Sequence, residues 1–418
     1  MKICIVGLGY IGLPTALLFA NKGHKVIGYD IKNTLIDKIT TGTLPFSEPK
    51  LLQLYKKVIQ SNTFHVSKSL EQANVYLIAV PTPLDKNSKS ADLSSVKDAA
   101  KNIALVLKQG DLVILESTVS PGTCKNILIP LLESSGYVAG TDFFVSHCPE
   151  RAIPGNTIYE MIHNDRIIGS NDKKSGQMTQ QLYSSFVKGK FYQTTLSTAE
   201  IVKLMENTYR DINIALANEF AQIADDCQIN IWEAIKLANN HPRVNILKPG
   251  PGVGGHCISI DPWFLTGISS QRRIISLARE INDSMPNYVF QIVKKVVSDL
   301  VSPTITVLGV AYKGGVDDTR ETPALKFIKL VENEGYNVKV HDPHVKEFEY
   351  EILGLEEAVK DSDCIVVLTD HLEFLEFNPK KISVLMRNKN VVDSRNILKE
   401  KKWKESGFRV KVLGDGRN

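Results

Sequence analysis

A cysteine and an aspartate close a glycine-dense run, Pro249-Gly250-Pro251-Gly252-Val253-Gly254-Gly255-His256-Cys257-Ile258-Ser259-Ile260-Asp261-Pro262. Glycines let backbone N–H groups crowd a ligand. A thiol in that setting becomes a covalent nucleophile once a neighbouring cation or donor cluster favours the thiolate. Asp261, four residues on, suits the orientation or activation of a water. The competing role for Cys257 is that of a small buried filler, the commonest fate of an unbridged cysteine. A second group, Lys203, Asn207 and Arg210, recurs at spacings of four and three, which places all three on one helical face. Such a stripe suits an anionic substrate or intermediate; the plainer alternative is a solvated face.

The chain opens on a third group, Gly7-Leu8-Gly9-Tyr10-Ile11-Gly12, with Asp30 standing 18 residues after Gly12. In a strand–turn–helix unit Gly7 permits the tight turn, Gly9 lets a pyrophosphate approach the backbone, and Gly12 lets the helix pack on the sheet. The helix N-terminus supplies N–H donors for phosphate. Asp30 can accept hydrogen bonds from a ribose 2′-hydroxyl and would repel a 2′-phosphate, so NAD is favoured over NADP. The alternative is a glycine turn needed only for packing. Ala79-Val80-Pro81-Thr82-Pro83 and Glu116-Ser117-Thr118 follow two further strand-like runs. Open α/β sheets bind ligands at the carboxyl ends of their strands, so Thr82 and Thr118 are candidates for the nicotinamide half of that cofactor.

The elements that must position these groups read as repeated strand-then-helix units. Lys2–Val6, Lys25–Tyr29, Val75–Val80, Leu112–Glu116 and Phe143–His147 are short apolar runs of the kind buried parallel strands need, with helical stretches such as Leu13–Lys22 and Leu93–Leu107 between them. Ser197–Ile229 lacks Gly and Pro and reads as one long helix, a candidate spine for a dimer. Helices at Trp232–Asn239 and Arg272–Leu300 follow, separated by the glycine loop. From Thr304 the opening pattern returns: strand Thr304–Val310, helix Ala324–Glu334 stopped by Gly335, and strand Asn337–Asp342 ending in an acid as Lys25–Asp30 does. Cys364–Thr369 and Val391–Arg395 echo Val75–Val80 and Leu112–Ser117. The reading is an α/β chain of two Rossmann-like doubly wound domains joined by a central helical domain with one long helix. The boundaries expected are 1–195 (NAD-binding), 196–300 (helical, dimerising) and 301–418 (substrate-binding).

Composition narrows the function classes. With 418 residues, 43% hydrophobic and 23% charged, the chain is a globular protein of two or three domains, not a disordered or coiled-coil one. A formal charge of +4 is too faint to argue for nucleic acid. Six cysteines without a C-x-x-C pair imply reduced thiols and a cytoplasmic location. The uncharged run Ile3–Asn21 superficially resembles a signal peptide or anchor, but Gly7, Gly9, Gly12 and Pro14 interrupt it, and no membrane span is expected. The lone H-x-x-H, His341 and His344, encloses Asp342-Pro343 at a strand end, and no metal is expected there.

Taken in order, the glycine fingerprint, A-V-P-T-P, E-S-T, C-P-E-R, K-L-M-E-N, G-G-H-C-x-x-x-D-P and Y-K-G-x-x-D-D-x-R-E-T-P-A make the chain resemble the UDP-glucose/GDP-mannose dehydrogenase family over essentially its whole length. The resemblance implies a four-electron oxidation of a sugar C6 alcohol to a carboxylate, with two NAD used in sequence. It makes Cys257 the thiol that captures the C6 aldehyde, Lys203 the acid/base or alkoxide stabiliser, and Asn207 an oxyanion donor. Asp261 and Thr118 match positions that handle the proton or the water, and Glu150 the acid linked to thioester hydrolysis. Gly7, Gly9, Tyr10, Ile11, Gly12, Asp30, Thr82, Thr118 and Arg320 are implied as NAD contacts.

Within the family, C-P-E-R-A-I-P-G at 148–155, E-N-T-Y-R-D at 206–211 and H-P-R-V-N at 241–245 look like the branch that acts on UDP-N-acetyl-D-mannosamine. The resemblance implies Arg151, Ala152, Lys203, Asn207, Arg210, His241, Arg243 and Gly254 as contacts to the UDP-sugar, with Arg243 offered across a homodimer. Tyr312 and Lys313 fall in the substrate-binding stretch of the last domain. Arg395 stands where lysine is common, and guanidinium and ammonium are not interchangeable. The same mechanism on UDP-N-acetylglucosamine or UDP-glucose is the nearest alternative. A two-electron hydroxyacid dehydrogenase would need neither the thiol nor a second Rossmann-like layer, and an NAD-binding scaffold would reduce no NAD.

Overall fold

The computed structural model describes residues 1–46, 48–85 and 87–417. By packing, the chain divides into two compact units, Met1–Glu206 with Trp263–Ser270, and Asn207–Pro262 with Gln271–Asn418.

The first unit is built on an eight-stranded sheet: β1 (Lys2–Val6), β2 (Lys25–Tyr29), β3 (Phe64–Ser67), β4 (Val75–Ile78), β5 (Leu112–Leu115), β6 (Phe144–His147), β7 (Arg166–Ser170) and β8 (Phe191–Thr195). Their order across the sheet is β8-β7-β6-β5-β4-β1-β2-β3. Strand side chains alternate between faces, so Ile3 and Ile5 join one core while Cys4 and Val6 join another on the opposite side. The central strands β1, β4 and β5 are therefore dry on both faces, which is why they are continuous apolar runs, while the outer strands β3 and β8 carry exposed polar residues.

The expected parallel strands are in place, with one correction to a wholly parallel sheet. β6 and β7 pair antiparallel, Ser146 opposite Ser170 and His147 opposite Gly169, while β8 runs parallel to β7. An antiparallel neighbour needs no crossover. The segment between β6 and β7, with its short helix Thr157–His163, therefore turns back at the carboxyl edge of β6. That return brings Arg166, the first residue of β7, to the edge where the chain leaves β5 at Glu116.

β8 runs directly into the long helix, Leu196–Asp226, which continues into the second unit. At about 1.5 Å per residue its 31 residues extend for roughly 45 Å. The second unit holds helices Ile231–Ala238 and Arg273–Val296 and a five-stranded, wholly parallel sheet: β9 (Thr304–Leu308), β10 (Asn337–His341), β11 (Cys364–Val367), β12 (Asn390–Asp393) and β13 (Arg409–Val412), in the order β10-β9-β11-β12-β13. The internal echo is real as topology, because β2-β1-β4 and β10-β9-β11 have the same order and direction. Both repeats even use the acid alike. Asp30 accepts the Leu8 N–H at 2.9 Å, and Asp342 accepts the Val310 N–H at 2.8 Å. Among the described residues no helix is long and apolar enough to cross a membrane, and the run from Ile3 to Asn21 is a strand, a turn and a helix.

Candidate active site

The fingerprint turn follows β1 as its glycines require. Gly7 has φ +96°, and a Cβ there would lie 2.5 Å from the Ala79 carbonyl oxygen; a Cβ on Gly12 would lie 1.9 Å from the Gly7 carbonyl oxygen. Gly9 differs, for nothing stands within 4 Å of where its Cβ would be. Gly7 thus lets the turn close against the end of β4 and Gly12 lets the helix close on Gly7, while Gly9 keeps open the space a phosphate would take. The helix that follows, Gly12–Asn21, has no side-chain cap; the Leu13 and Thr15 N–H groups already donate to the Gly9 and Ile11 carbonyls at 3.1 Å and Pro14 has none, so a phosphate would meet the turn ahead of Leu13 rather than the helix's first N–H groups. Asp30 is oriented by the N–H groups of Leu8 and Lys32, both at 2.9 Å, with lone pairs remaining on its carboxylate for ribose hydroxyls. Tyr10 stacks on Phe46 at 4.2 Å, and Ile11 packs against the core. Thr82 Oγ1 donates to the Thr118 carbonyl at 2.8 Å, so the two threonines singled out at separate strand ends are held side by side. These residues fit a dinucleotide.

Beside them lies a buried charge cluster that the sequence did not disclose. Arg166 Nη2 stands 2.6 Å from Glu150 Oε2, and Arg166 Nη1 stands 3.9 Å from Glu116 Oε1. Tyr183 Oη donates to Glu116 at 2.5 Å, and Thr15 Oγ1, on the fingerprint helix, at 3.2 Å. Burial pushes the Glu116 carboxyl up to about 7, against the pull of the arginine. Glu150 also accepts the N–H groups of Arg151 at 2.6 Å and Ala152 at 2.9 Å, so it is an anchored, buried acid. The available signal was an arginine at the head of an apolar strand, which in a buried position demands carboxylates.

The long helix is pinned to the same edge by Glu200, whose carboxylate accepts the N–H groups of Gly122 at 2.5 Å and Cys124 at 2.7 Å. One turn on, Lys203 is 7% exposed and has no ion-pair partner among the described residues. Arg151 Nη1 meets Glu206 at 2.5 Å, and its other terminal nitrogen donates to the Asp165 carbonyl.

In the second unit the glycine loop is held by its neighbours rather than by secondary structure. A Cβ on Gly250 would meet Arg395 Nη1 at 2.8 Å, one on Gly254 the Glu321 carbonyl oxygen at 2.7 Å, and one on Gly255 the Tyr312 ring at 2.8 Å. Gly255 N–H donates to the Arg320 carbonyl at 2.9 Å. The loop ends with Cys257 exposed, and the Asp261 N–H donates to the Cys257 carbonyl at 2.8 Å. Asp261 does not stay in the loop but begins a short helix, Asp261–Thr266. Its carboxylate accepts from Asn207 Nδ2 at 2.6 Å, while Asn207 Oδ1 accepts from Arg210 at 2.6 Å. The Lys–Asn–Arg stripe is therefore not a solvated face at Asn207, which is 1% exposed.

Two of the remaining candidates border the glycine loop, Arg320 through its carbonyl at Gly255 and Arg395 through its guanidinium beside Gly250. Arg320 is bound to Asp318 at 2.6 Å, and Arg395 Nε donates to the Leu368 carbonyl at 3.0 Å. Lys313 is exposed, and His241 and Arg243 stand exposed on a turn. Burial and the Arg320 charge hold the His256 imidazole below its ordinary range. His344 does not pair with His341. It faces Glu373 at 3.0 Å, and His344, His371 and Glu373 offer atoms within 4.8 Å of one another. His371 is committed on both sides, because Nδ1 accepts the Gly315 N–H at 3.1 Å and Nε2 then carries the proton toward Asp342 at 3.0 Å. A neutral imidazole so bonded has no lone pair for a metal.

A Rossmann turn fitted to NAD and a glycine loop presenting one thiol define a nicotinamide-dependent dehydrogenase. The comparisons agree. The UDP-glucose/GDP-mannose dehydrogenase family matches with its NAD binding domain over residues 1–187, its central domain over 197–284 and its UDP binding domain over 306–400. The chain is 48% identical to the UDP-N-acetyl-D-mannosamine dehydrogenase of Methanococcus vannielii, over 99% of this chain and 97% of that protein. The solved UDP-D-ManNAc dehydrogenase of Pyrococcus horikoshii superposes with a TM-score of 0.94 at 43% identity, over the whole of both chains. The native UDP-N-acetyl-mannosamine dehydrogenase structure from Staphylococcus aureus gives 0.91 at 40% identity, over 99% of this chain and 98% of that one. The chain belongs to the UDP-glucose/GDP-mannose dehydrogenase family and is an NAD-dependent oxidoreductase of UDP-sugars.

Proposed function

We propose that the enzyme oxidises UDP-N-acetyl-D-mannosamine at C6 to UDP-N-acetyl-D-mannosaminuronate, with Cys257 as the covalent thiol. NAD, when bound, accepts one hydride in each of the two oxidations. In the first, the C6 alcohol loses a proton and a hydride and becomes an aldehyde. Cys257 Sγ adds to its carbonyl carbon, giving a thiohemiacetal whose oxygen takes up a proton. Loss of the second hydride and that proton leaves a thioester, and water cleaves it to the carboxylate and the free thiol. Lys203 and Asn207 serve the developing oxyanions, and Asp261, Thr118 and Glu150 the protons and the water.

The observation that carries the reading is the presentation of Cys257, exposed at the end of a loop whose glycines are each packed against a neighbour, with the Asn207–Asp261 hydrogen bond beginning four residues away. Lys203, buried and without a carboxylate partner among the described residues, supports its assigned role, since a desolvated ammonium calls for an anion. Arg151, Ala152, Arg210, His241, Arg243, Gly254, Tyr312, Lys313 and Arg395 are kept as substrate contacts, and Arg320 as a cofactor contact. The three-part division at 1–195, 196–300 and 301–418 is kept too, supported by the three family-domain matches.

The long helix carries a stripe of exposed apolar side chains, Met205 (56%), Tyr209 (60%), Leu216 (39%) and Ile223 (51%), at spacings of four, seven and seven. A stripe of that period on one helix suits a second copy, so the reading includes a homodimer that brings Arg243 to its partner's substrate, in the cytoplasm. The test is NADH formation with UDP-N-acetylmannosamine, UDP-N-acetylglucosamine, UDP-N-acetylgalactosamine, UDP-glucose and GDP-mannose. Two NADH per UDP-N-acetylmannosamine, with the other sugars at least tenfold poorer in kcat/KM, is the expected result. One NADH per sugar refutes the four-electron chemistry, and preference for another sugar refutes the substrate.

A further inference from the structure

Four polar side chains with no part in the proposed chemistry form a continuous buried chain that ends on the thiol loop. Asn218, from the long helix, accepts the Gly250 N–H on Oδ1 at 2.8 Å. Its Nδ2 donates to Asn282 Oδ1 at 2.9 Å. Asn282 Nδ2 donates in turn to the Asp211 carbonyl at 3.0 Å and to Asp211 Oδ1 at 2.8 Å. Arg279 Nη1 closes the chain on Asp211 Oδ1 at 2.7 Å. None of the four side chains is more than 2% exposed. Gly252, at φ +121°, passes so close to the Asn282 carbonyl that a Cβ would lie 2.9 Å from it.

The direction of every bond is forced. A backbone N–H can only donate, so Asn218 must turn its oxygen to Gly250 and its nitrogen to Asn282. Asn282 must then present its oxygen to Asn218 and its nitrogen to Asp211. The chain terminates on a carboxylate whose other neighbour, Arg279, only donates. Reversing any amide would set two donors or two acceptors face to face in a dry interior, which costs more than the bond is worth. Buried amides so constrained specify one arrangement of what they hold. Here that is the stretch Gly250–Gly252, a loop with no regular secondary structure, five residues before Cys257.

We infer that Asn218 is a positioning residue for the thiol loop, and that Asn282, Asp211 and Arg279 fix the orientation in which it holds Gly250. The inference rests on the reading of Cys257 as the covalent thiol. Asn218 acts through Gly250 and touches neither reactant, so its loss should affect chemistry at the thiol while sparing cofactor binding in the other unit.

The experiment compares Asn218→Ala, which leaves the Gly250 N–H without its acceptor, with Asn218→Asp, which keeps an acceptor but cannot donate to Asn282. Three quantities are read on the full-length enzyme: kcat, the NAD dissociation constant, and the pH dependence of Cys257 alkylation by iodoacetamide, with Cys257→Ala as the blank. For Asn218→Ala the expected result is a kcat at least tenfold lower, an alkylation profile displaced from the parent's, and NAD affinity within twofold. Asn218→Asp should recover at least a third of the lost kcat on a logarithmic scale. Asn218→Ala with parental kcat and parental alkylation overturns the inference, as does a fall in kcat with an unchanged alkylation profile. If Asn218→Ala does not fold, Asn282→Asp breaks the chain one link from the loop, and parental alkylation in that variant overturns the inference as well. Full turnover by Cys257→Ala would instead refute the thiol reading, independently of Asn218.

Discussion

Alanine at Gly9 and alanine at Gly12 should separate ligand binding from packing within one six-residue turn. At Gly12 the new methyl would sit 1.9 Å from the Gly7 carbonyl oxygen and 3.2 Å from the Ala79 Cβ, with backbone on one side that cannot swing away as a side chain would. Overpacking typically costs about 1–3 kcal/mol, and a clash with backbone belongs at the top of that range. About 3 kcal/mol corresponds to a fall of roughly 6–12 °C in the melting temperature of a unit this size. At Gly9 no atom lies within 4 Å of the added methyl, so stability should stay within about 0.5 kcal/mol of the parent. The methyl would instead fill the space through which a pyrophosphate reaches the backbone, and NAD should bind at least about a hundredfold more weakly, some ~2.7 kcal/mol. Thermal unfolding of the ligand-free variants and calorimetric titration with NAD read the two effects separately. A Gly9→Ala protein that melts as low as Gly12→Ala, or that binds NAD as the parent does, would refute the division of roles.

Three further outcomes are expected. Cys257→Ser should form a hemiacetal that oxidises to a stable ester, so turnover stalls before the acid is released; steady formation of the uronate at the parental rate would end the covalent mechanism. Glu116, held at about 7 in the folded protein against an ordinary 4.5, keeps a proton that the unfolded chain has already lost, so stability should fall as pH rises from about 4.5 to 7, by on the order of 3 kcal/mol. Urea unfolding of Glu116→Gln should lack that slope, and an identical slope in both proteins would dismiss Glu116 as its source. Leu216→Glu with Ile223→Glu puts charge into the exposed apolar stripe of the long helix and should yield a monomer by light scattering, whereas an unchanged mass would remove the stripe from the interface.

Residue types and spacing alone determined the dinucleotide turn, the strand-and-helix alternation, the long helix and the thiol loop, because each is governed by contacts local in the chain. Glycine at 7, 9 and 12, an apolar run of strand length, or a long stretch without Gly and Pro restricts the backbone whatever the rest of the chain does. The tertiary structure decided what those segments could not. The antiparallel return of β7 carries Arg166 to Glu150 and Glu116, and Asp211, Asn218 and Asn282 face inward although their residue types suit a solvated surface. Those choices depend on which distant groups satisfy one another once water is excluded, and partners 64 residues apart, such as Asn218 and Asn282, leave no periodicity to read.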